Sequence, residues 1–489
     1  MNYIRKNGWI QNIDPSDQSK GNFRNEETYW YAVGVYFLQQ IPISEPTSWW
    51  FYAAIHGQYV TESAKIKNKN KYLNWDNIAY IDQDMIKDFP DESIQKKYWD
   101  QCQHGTWYFS AWHRGYLVSL EKLLRDVIVS KGGPENWALP YWDIVNEKSI
   151  PFEFSAEAKF IFDGSELKNP LYVKERYGTG IDNRVNNNCQ NTNFFTSIKN
   201  IIVGYGGGKT DFSHNGNFTG KLESNPHNIG HVEIGSENTN HQSGLMSVPN
   251  TAALDPIFYY HHSNIDRLWN SWNKMRNENP VVPNWLNGPT SMGDRIFIMP
   301  YPNNWKYAPK DVNDVDQINV QGENYSYNYD NLVKIFKNME GINNKLSENE
   351  NNQPELLIAT ENVNVFNSKV FQPEFPSINN LQLKKSNNID LNSRYFLLLE
   401  GVKGTRDSNI IDVFIKNKLV ESIGLFGLSS ASDENSHQGG NGLNFSIEIT
   451  NILKTINNLN NIIQSVHLQL EHDLNKDSLT IDRVSIYKL

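Results

Sequence analysis

Apolar and polar positions along the chain fall into two regimes: up to about Trp272 the apolar residues recur at helical spacing, and from about Ser386 they alternate in short runs. In the first regime, residues 22–41 (NFRNEETYWYAVGVYFLQQI) predict the first core helix. Pro46-Thr47-Ser48 marks the start of a second, SWWFYAAIHG, which closes at His56-Gly57. A long third helix is expected from about Thr106 to Ser130, stopped by Lys131-Gly132-Gly133-Pro134. ALPYWDI at 138–144 reads as a buried turn, and residues 145–222, rich in Gly, Asn and Ser, read as long loops. Two further helical stretches follow, one from His227 (HNIGHVEIG) and one through FYYHHSNIDRLW. Residues 331–384, rich in Asn, Glu and Pro, read as a connector. Beyond them RYFLLLEGV, IIDVFIKNKLV, LNFSIEIT, VHLQLEH and LTIDRVSIYKL, separated by Gly/Ser/Asn turns, predict an all-β sandwich. The expectation is a multidomain chain: a mainly helical unit over 1–330, a linker over 331–384 and a β unit over 385–489.

A length of 489 residues suits two or three domains, and 38% hydrophobic residues can build a real core. The net charge of −10, with no basic run interleaved with aromatics, argues against nucleic acid as a partner. No run approaches the roughly 20 apolar residues of a membrane helix. The start, MNYIRKNGWIQNIDPSDQSKG, has no apolar secretory core, so no membrane partner and a cytoplasmic address are expected. Two cysteines, Cys102 and Cys189, cannot build a disulfide framework. Cys189, in NNNCQN, reads as a loop thiol. The glycines of GYGGGKTDF at 204–212 do not match a phosphate-cradling loop, which disfavours nucleotide binding.

What changes the picture is histidine. His227 and His231 stand four apart, which on a helix aims both imidazoles at one point. Nine of the twelve histidines lie between His56 and His262, which makes a metal site the first hypothesis. Asn228 after His227 excludes the H-E-x-x-H helix of zinc proteases. The paired Glu-x-x-His helices of carboxylate-bridged di-iron sites are also missing. Six of the nine can be grouped as two sets of three, and all-nitrogen ligation without carboxylates favours copper over iron. Read alone, His56 on its apolar face would be an ordinary core histidine; the company of the other five reverses that. His214 and His241 read as loop histidines.

His104-x8-His113 followed by Arg114 and Tyr116-Leu117, then His227-x3-His231, then DPIFYYHHSNIDRLW, together resemble the two copper motifs of the type 3 copper family: tyrosinases, catechol oxidases and molluscan haemocyanins. The likeness is good over the first two thirds of the chain and looser beyond. It implies a four-helix bundle around a dinuclear copper site, with His56, His104 and His113 on the first ion and His227, His231 and His262 on the second; His261 matches the non-ligand of its pair. Cys102-x-His104 resembles the pattern in which the sulfur is bonded covalently to the histidine ring, and the alternative is a free buried thiol. The family gives a Glu and an Asn at the places of Glu223 and Asn228 the work of holding a water that accepts a phenol's proton; the alternative is that both merely tether the turn. Val232 offers no charge to guide a substrate, and Pro249 stands where many plant enzymes carry a phenylalanine, leaving the mouth more open. Asp266 and Arg267 are expected in ion pairs behind the ligands. GENYSYNYD (322–330) resembles the paired-tyrosine motif closing the catalytic unit, with Tyr325 and Tyr327 the pair. In the family the β domain shields the copper site of a latent enzyme, and Leu425 or Phe426 of GLFGLSS is the expected plug.

The activity implied is that of a latent phenol oxidase, a tyrosinase, with two copper ions as cofactor, O2 as co-substrate and a small phenol as partner. It would hydroxylate monophenols ortho and oxidise o-diphenols to o-quinones. The alternatives are a catechol or o-aminophenol oxidase without monophenolase activity, and a haemocyanin-like O2 carrier. Against the carrier stands the single pair of copper motifs, where haemocyanin units usually come in tandem. A homo-oligomer and a copper-delivery partner are both compatible with the sequence.

Overall fold

The computed structural model describes residues 2–57, 75, 78–210, 218–289, 296–333, 353–365, 370–375, 390, 392–434, 440–456, 465–474 and 477–489. His214 and most of the expected connector lie outside them. Among the described residues, the frame of the first unit rests on these helices, with others between them. α1 (Glu26–Gln39) starts where the Asn25 side chain accepts the Thr28 N–H at 2.8 Å, with Glu26 and Glu27 at its positive end. α2 (Trp49–His56) is capped by the Ser48 hydroxyl, which accepts from Trp50 N–H at 3.1 Å. α3 (Phe109–Ser130) begins three residues later than the pattern suggests. Gly105, at φ +63°, and the Thr106 hydroxyl, accepting from Tyr108 N–H, first turn the chain. A π-helical turn, Glu223–Asn228, runs into α4 (Ile229–Gly235). α5 (Ile257–Arg276) ends on Asn277 in the left-handed region. No described helix is long and apolar enough to cross a membrane.

α3 and α5 are locked together from behind by buried charge. Arg114 Nε donates to Asp266 Oδ1 at 2.6 Å, and Arg5 Nη1 donates to Oδ2 at 3.0 Å. Arg5 arrives on β1 (Asn2–Arg5). That strand runs parallel to β7 (Glu323–Tyr329), itself paired with β6 (Ile318–Val320); the hairpins β2–β3 (Phe160–Phe162, Ser165–Leu167) and β4–β5 (Phe297–Met299, Trp305–Tyr307) lie between them in sequence. Tyr325, Tyr327 and Tyr329 alternate onto one face of β7. Tyr327 and Tyr329 donate to Asp266, and Tyr325 donates to Glu121, which also accepts from Arg5 and Arg125. The expected tyrosine pair is thus a triple. Burial works to raise the Asp266 pKa, but Arg114 and Arg5 overcome it and hold the group ionised. Removing one partner from so dry a network costs about 3–5 kcal/mol. Arg267 pairs with Asp143 of ALPYWDI at 2.7 Å.

The second unit is two antiparallel four-stranded sheets. One orders β13 (Leu443–Glu448), β10 (Tyr395–Gly404), β15 (Leu479–Lys488) and β8 (Glu355–Val365); the other orders β12 (Lys418–Gly424), β11 (Ile410–Ile415), β14 (Val466–Leu470) and β9 (Val370–Phe371). The expected connector is therefore shorter than 331–384. Its ELLIATENVNV has nine residues paired with β15 in the register, and its backbone groups are satisfied only as an edge strand of that sheet. Ile201 and Ile202 of the helical unit pack on Phe396 and Leu398. Arg184 reaches Glu233 at 2.9 Å within its own unit and Glu471 at 2.8 Å across the boundary. Arg406 crosses the other way to Glu237, beside half-exposed His241.

Candidate metal centre

Each helix brings its imidazole by a short-range device. His56 is the last residue of α2, where Gly57 turns the chain away. His113 and His262 sit one turn after a phenylalanine on the same helix face, Phe109 and Phe258. The Phe109 ring stands 4.6 Å from His113 and 4.7 Å from His227; that of Phe258 stands 4.7 Å from His56 and 4.1 Å from His262. These two rings fill the space between the two sets. Sequence reasoning passed over them, although the shared Phe-x3-His spacing was there to find.

The six expected histidines come together as two groups. His56, His104 and His113, joined by Cys102, form one, and His227, His231 and His262 the other, with ligand atoms in each group within 4.8 Å of one another. His113 and His262 stack between the groups at 4.4 Å. Hydrogen bonds fix the tautomers: Nδ1–H of His56 donates to Pro249 O at 3.1 Å, of His113 to Phe109 O at 2.8 Å, of His227 to Asn228 Oδ1 at 2.8 Å and of His231 to Met246 O at 2.7 Å. Nε2 is left as the lone-pair nitrogen of each ring. His262 Nε2 stands 3.3 Å from His227 Nε2 and 3.2 Å from His231 Nε2. Nitrogens bound to one ion at about 2 Å and tetrahedral angles are about 3.3 Å apart. His56 Nε2 is buried with no hydrogen-bond partner among the described residues. Converging lone pairs with no proton to share fit a metal ion in each group, and a donor set of imidazoles alone suits copper. Burial drives every one of these imidazoles toward the neutral form, His56 and the non-ligand His261 to about 3.

Around the groups lie the remaining candidates. Glu223 is buried; its Oε1 accepts from Gly105 N–H at 2.7 Å, beside His104, and its Oε2 has no partner among the described residues. Burial pushes its pKa up to about 8. Cys102 Sγ lies 3.2 Å from His104 Nδ1 and 3.5 Å from its Nε2, and so faces Cε1, the carbon between them. Val232 is buried, and Pro249 contributes its carbonyl as well as its ring. From the β unit, Phe426 stacks on His231 at 4.1 Å and 24°, and presents its face or edge to His104 and His227 at 5.4 and 5.6 Å. Leu425 turns instead into the core of the β unit. Cys189 is buried beside Gln190 and reaches neither group.

Residues 46–196 and 163–275 match the family model described as the common central domain of tyrosinase, and residues 370–489 match a domain of unknown function (DUF7868). A tyrosinase of Hahella sp. (strain CCB-MM4) is 29% identical over 503 residues, covering 96% of this chain and 98% of that one. A chloroplastic polyphenol oxidase of Prunus armeniaca is 28% identical over 183 residues, 35% of this chain and 30% of that protein. In fold, the chain is similar to the latent tyrosinase of apple (TM-score 0.52, 16% identity, 99% of this chain and 96% of that one). It is also similar to the tyrosinase of Burkholderia thailandensis (TM-score 0.53, 15% identity, 96% and 94%).

Imidazoles held below their free pKa of 6.5 add stability that is complete above that pH and is lost as the pH falls through it toward the folded values. The melting temperature of metal-free protein is expected to be level above pH about 7 and to drop steadily below it. Copper competes with protons for the same nitrogens, so loading should move the drop to lower pH. A metal-free melting curve level down to pH about 4 would show that the histidines are not held neutral together.

Proposed function

The chain belongs to the tyrosinase and polyphenol oxidase family of type 3 copper proteins and is a phenol-oxidising oxidoreductase; from that premise we propose a tyrosinase that hydroxylates monophenols ortho, oxidises o-diphenols to o-quinones, and is latent in the form described above. The observation that carries the latency is Phe426: an aromatic side chain of the chain's own β unit lies flat on His231, where a phenol ring would have to lie. Gly424, two residues before, lets that loop approach, since a Cβ there would come within 2.9 Å of the Asn228 and Ile229 backbone.

The six histidines would hold two copper ions, which when bound would supply the activation of O2 that no side chain performs. The protein's own part is positioning and proton handling. With Phe426 withdrawn, His231 offers its face to the phenol ring, and Phe109 and Phe258 keep water from between the metal groups. In its ionised form Glu223, through Oε2, takes the phenol's proton, directly or through a water, and the burial that raises its pKa to about 8 makes that carboxylate a strong base which holds the proton once taken. Asn228 holds His227 in the tautomer that presents Nε2. Uncharged Val232 and the small ring of Pro249 at the loop facing Phe426 suit a neutral phenol of unrestricted para substituent. The Cys102 S–H and the His104 Cε1–H would be exchanged for a thioether S–C bond, with O2, the family's co-substrate, taking the two electrons and two protons as hydrogen peroxide, which would fix the one ligand that lies outside a helix.

Phe426→Ala in the uncleaved, copper-loaded protein is expected to raise oxygen uptake with an o-diphenol at least tenfold, with copper content unchanged. Uptake equal to wild type would remove Phe426 as the block. Glu223→Gln should lower monophenol hydroxylation about a hundredfold while diphenol oxidation falls far less; equal losses would assign Glu223 a structural task. Intact mass of the copper-loaded protein is expected two hydrogens below that of Cys102→Ser after correction for the substitution, and equal corrected masses would exclude the thioether.

A further inference from the structure

One short segment touches a ligand of each metal. Leu245–Ser247 forms a 3-10 turn and Pro249–Ala252 a single α-turn. From the first, Met246 O accepts His231 Nδ1–H at 2.7 Å; from the second, Pro249 O accepts His56 Nδ1–H at 3.1 Å. His231 belongs to one metal group and His56 to the other. The segment is wedged between the ends of the two helices that carry them, and a glycine makes room at each end. A Cβ on Gly57, directly after His56, would fall 2.6 Å from Asn250 O. A Cβ on Gly235, closing α4, would fall 2.2 Å from Ser247 Oγ.

The two turns are held in register by Thr251. Its buried hydroxyl donates back across the segment to Leu245 O at 2.9 Å, with Val248 O at 3.4 Å. Thr251 N–H and Ala252 N–H both bond Val248 O, so the second turn is anchored on the residue between the two carbonyls. Without the hydroxyl, the first turn keeps its own 3-10 bonds and its anchors to the chain outside the segment, Leu245 N–H to Glu175 O at 2.9 Å and Ser247 Oγ–H to Ser236 O at 3.3 Å, but loses the side-chain tie that sets it against the second turn.

We propose that Thr251 is a positioning residue for both metals: by fixing the Met246 and Pro249 carbonyls relative to each other, it sets the tautomer and ring direction of His231 and His56 together. The segment then acts as a gauge between the two ions, although none of its side chains is a ligand. Partners of this kind, one step removed from a metal, change affinity by about 10–100-fold when removed. The inference rests on the two-copper reading, which the copper content of wild type tests separately: two ions per chain are required before the variants are compared.

The test is copper release from the full-length, copper-loaded protein to an excess of chelator, followed by metal analysis, in wild type, Thr251→Val and Thr251→Ser. Valine keeps the shape and removes the donor; serine keeps the donor. Thr251→Val is expected to lose both ions about tenfold or more faster than wild type, with Thr251→Ser close to wild type and the metal-free melting temperatures of all three within a few degrees. Release from Thr251→Val at the wild-type rate would overturn the proposal, as would faster release of one ion only. A lowered metal-free melting temperature shared by Val and Ser, with unchanged release, would assign Thr251 to folding alone.

Discussion

The constraint from which the rest of the structure follows is that several buried, neutral imidazoles must point their lone pairs at each other. Nitrogens 3.2–3.3 Å apart with no proton between them repel. A chain free to relax would rotate the rings apart or protonate one to make an ordinary hydrogen bond. Burial opposes protonation by penalising the charged form, so rotation is what the fold must prevent. It does so with a hydrogen-bond acceptor behind His56, His113, His227 and His231, and with the rings of Phe109 and Phe258 against their neighbours, His262 among them. The outermost frame is the buried charge network that ties α3 to α5 through Asp266, one turn beyond His262, and Arg114, next to His113. The two charged residues adjoin ligands of different groups, so the pair fixes the separation of the groups as well as joining two helices.

Most of the acceptors behind the rings are backbone carbonyls. Phe109 O already belongs to the helix ladder of α3, and its second lone pair takes His113 Nδ1–H, so the ring is tied to its own helix at no loss to the ladder. Met246 O and Pro249 O do the same from outside any long helix. A carbonyl cannot lose its charge with pH and is placed by φ and ψ alone, which makes it a steadier reference than a carboxylate. Asn228 is the side-chain exception, and it lies where a π-helical turn leaves the backbone out of register.

This division explains what could be read from the residues. Copper, the two groups of histidines and the helical frame were legible because side-chain chemistry and spacing are local: His227 and His231 announce a shared face, and Arg114 and Asp266 flank His113 and His262 in plain view. Tyr329 was missed beside Tyr325 and Tyr327 because the alternation that places all three on one face becomes informative only once β1 is known to bring Arg5 there. The strand at 355–365 was hidden by the Asn, Glu and Pro around it, since an edge strand of a sandwich needs few apolar positions. The carbonyls of Met246 and Pro249 have no sequence signature, every residue having one. Choosing Phe426 over Leu425 required the fold, because β12 ends at Gly424 and the turn that follows sends Leu425 into the β core and Phe426 to the histidines.

Closure of the site draws its strength from geometry more than from attraction. The Arg184–Glu471 ion pair across the unit boundary lies partly in reach of solvent and contributes on the order of 1 kcal/mol or less, whereas Arg406 is buried against Glu237, a pair that costs more to break. The patch of Ile201, Ile202, Phe396 and Leu398 is small. Phe426 nevertheless competes with any diffusing phenol as a tethered ring, and a side chain held on a short loop acts at an effective concentration of about millimolar or higher. On the latent reading proposed above, a free phenol of ordinary affinity for the same imidazole face loses to it. Lifting the loop that carries Phe426 asks, on that reading, nothing of α2 to α5, because every acceptor named behind the imidazoles belongs to the helical unit.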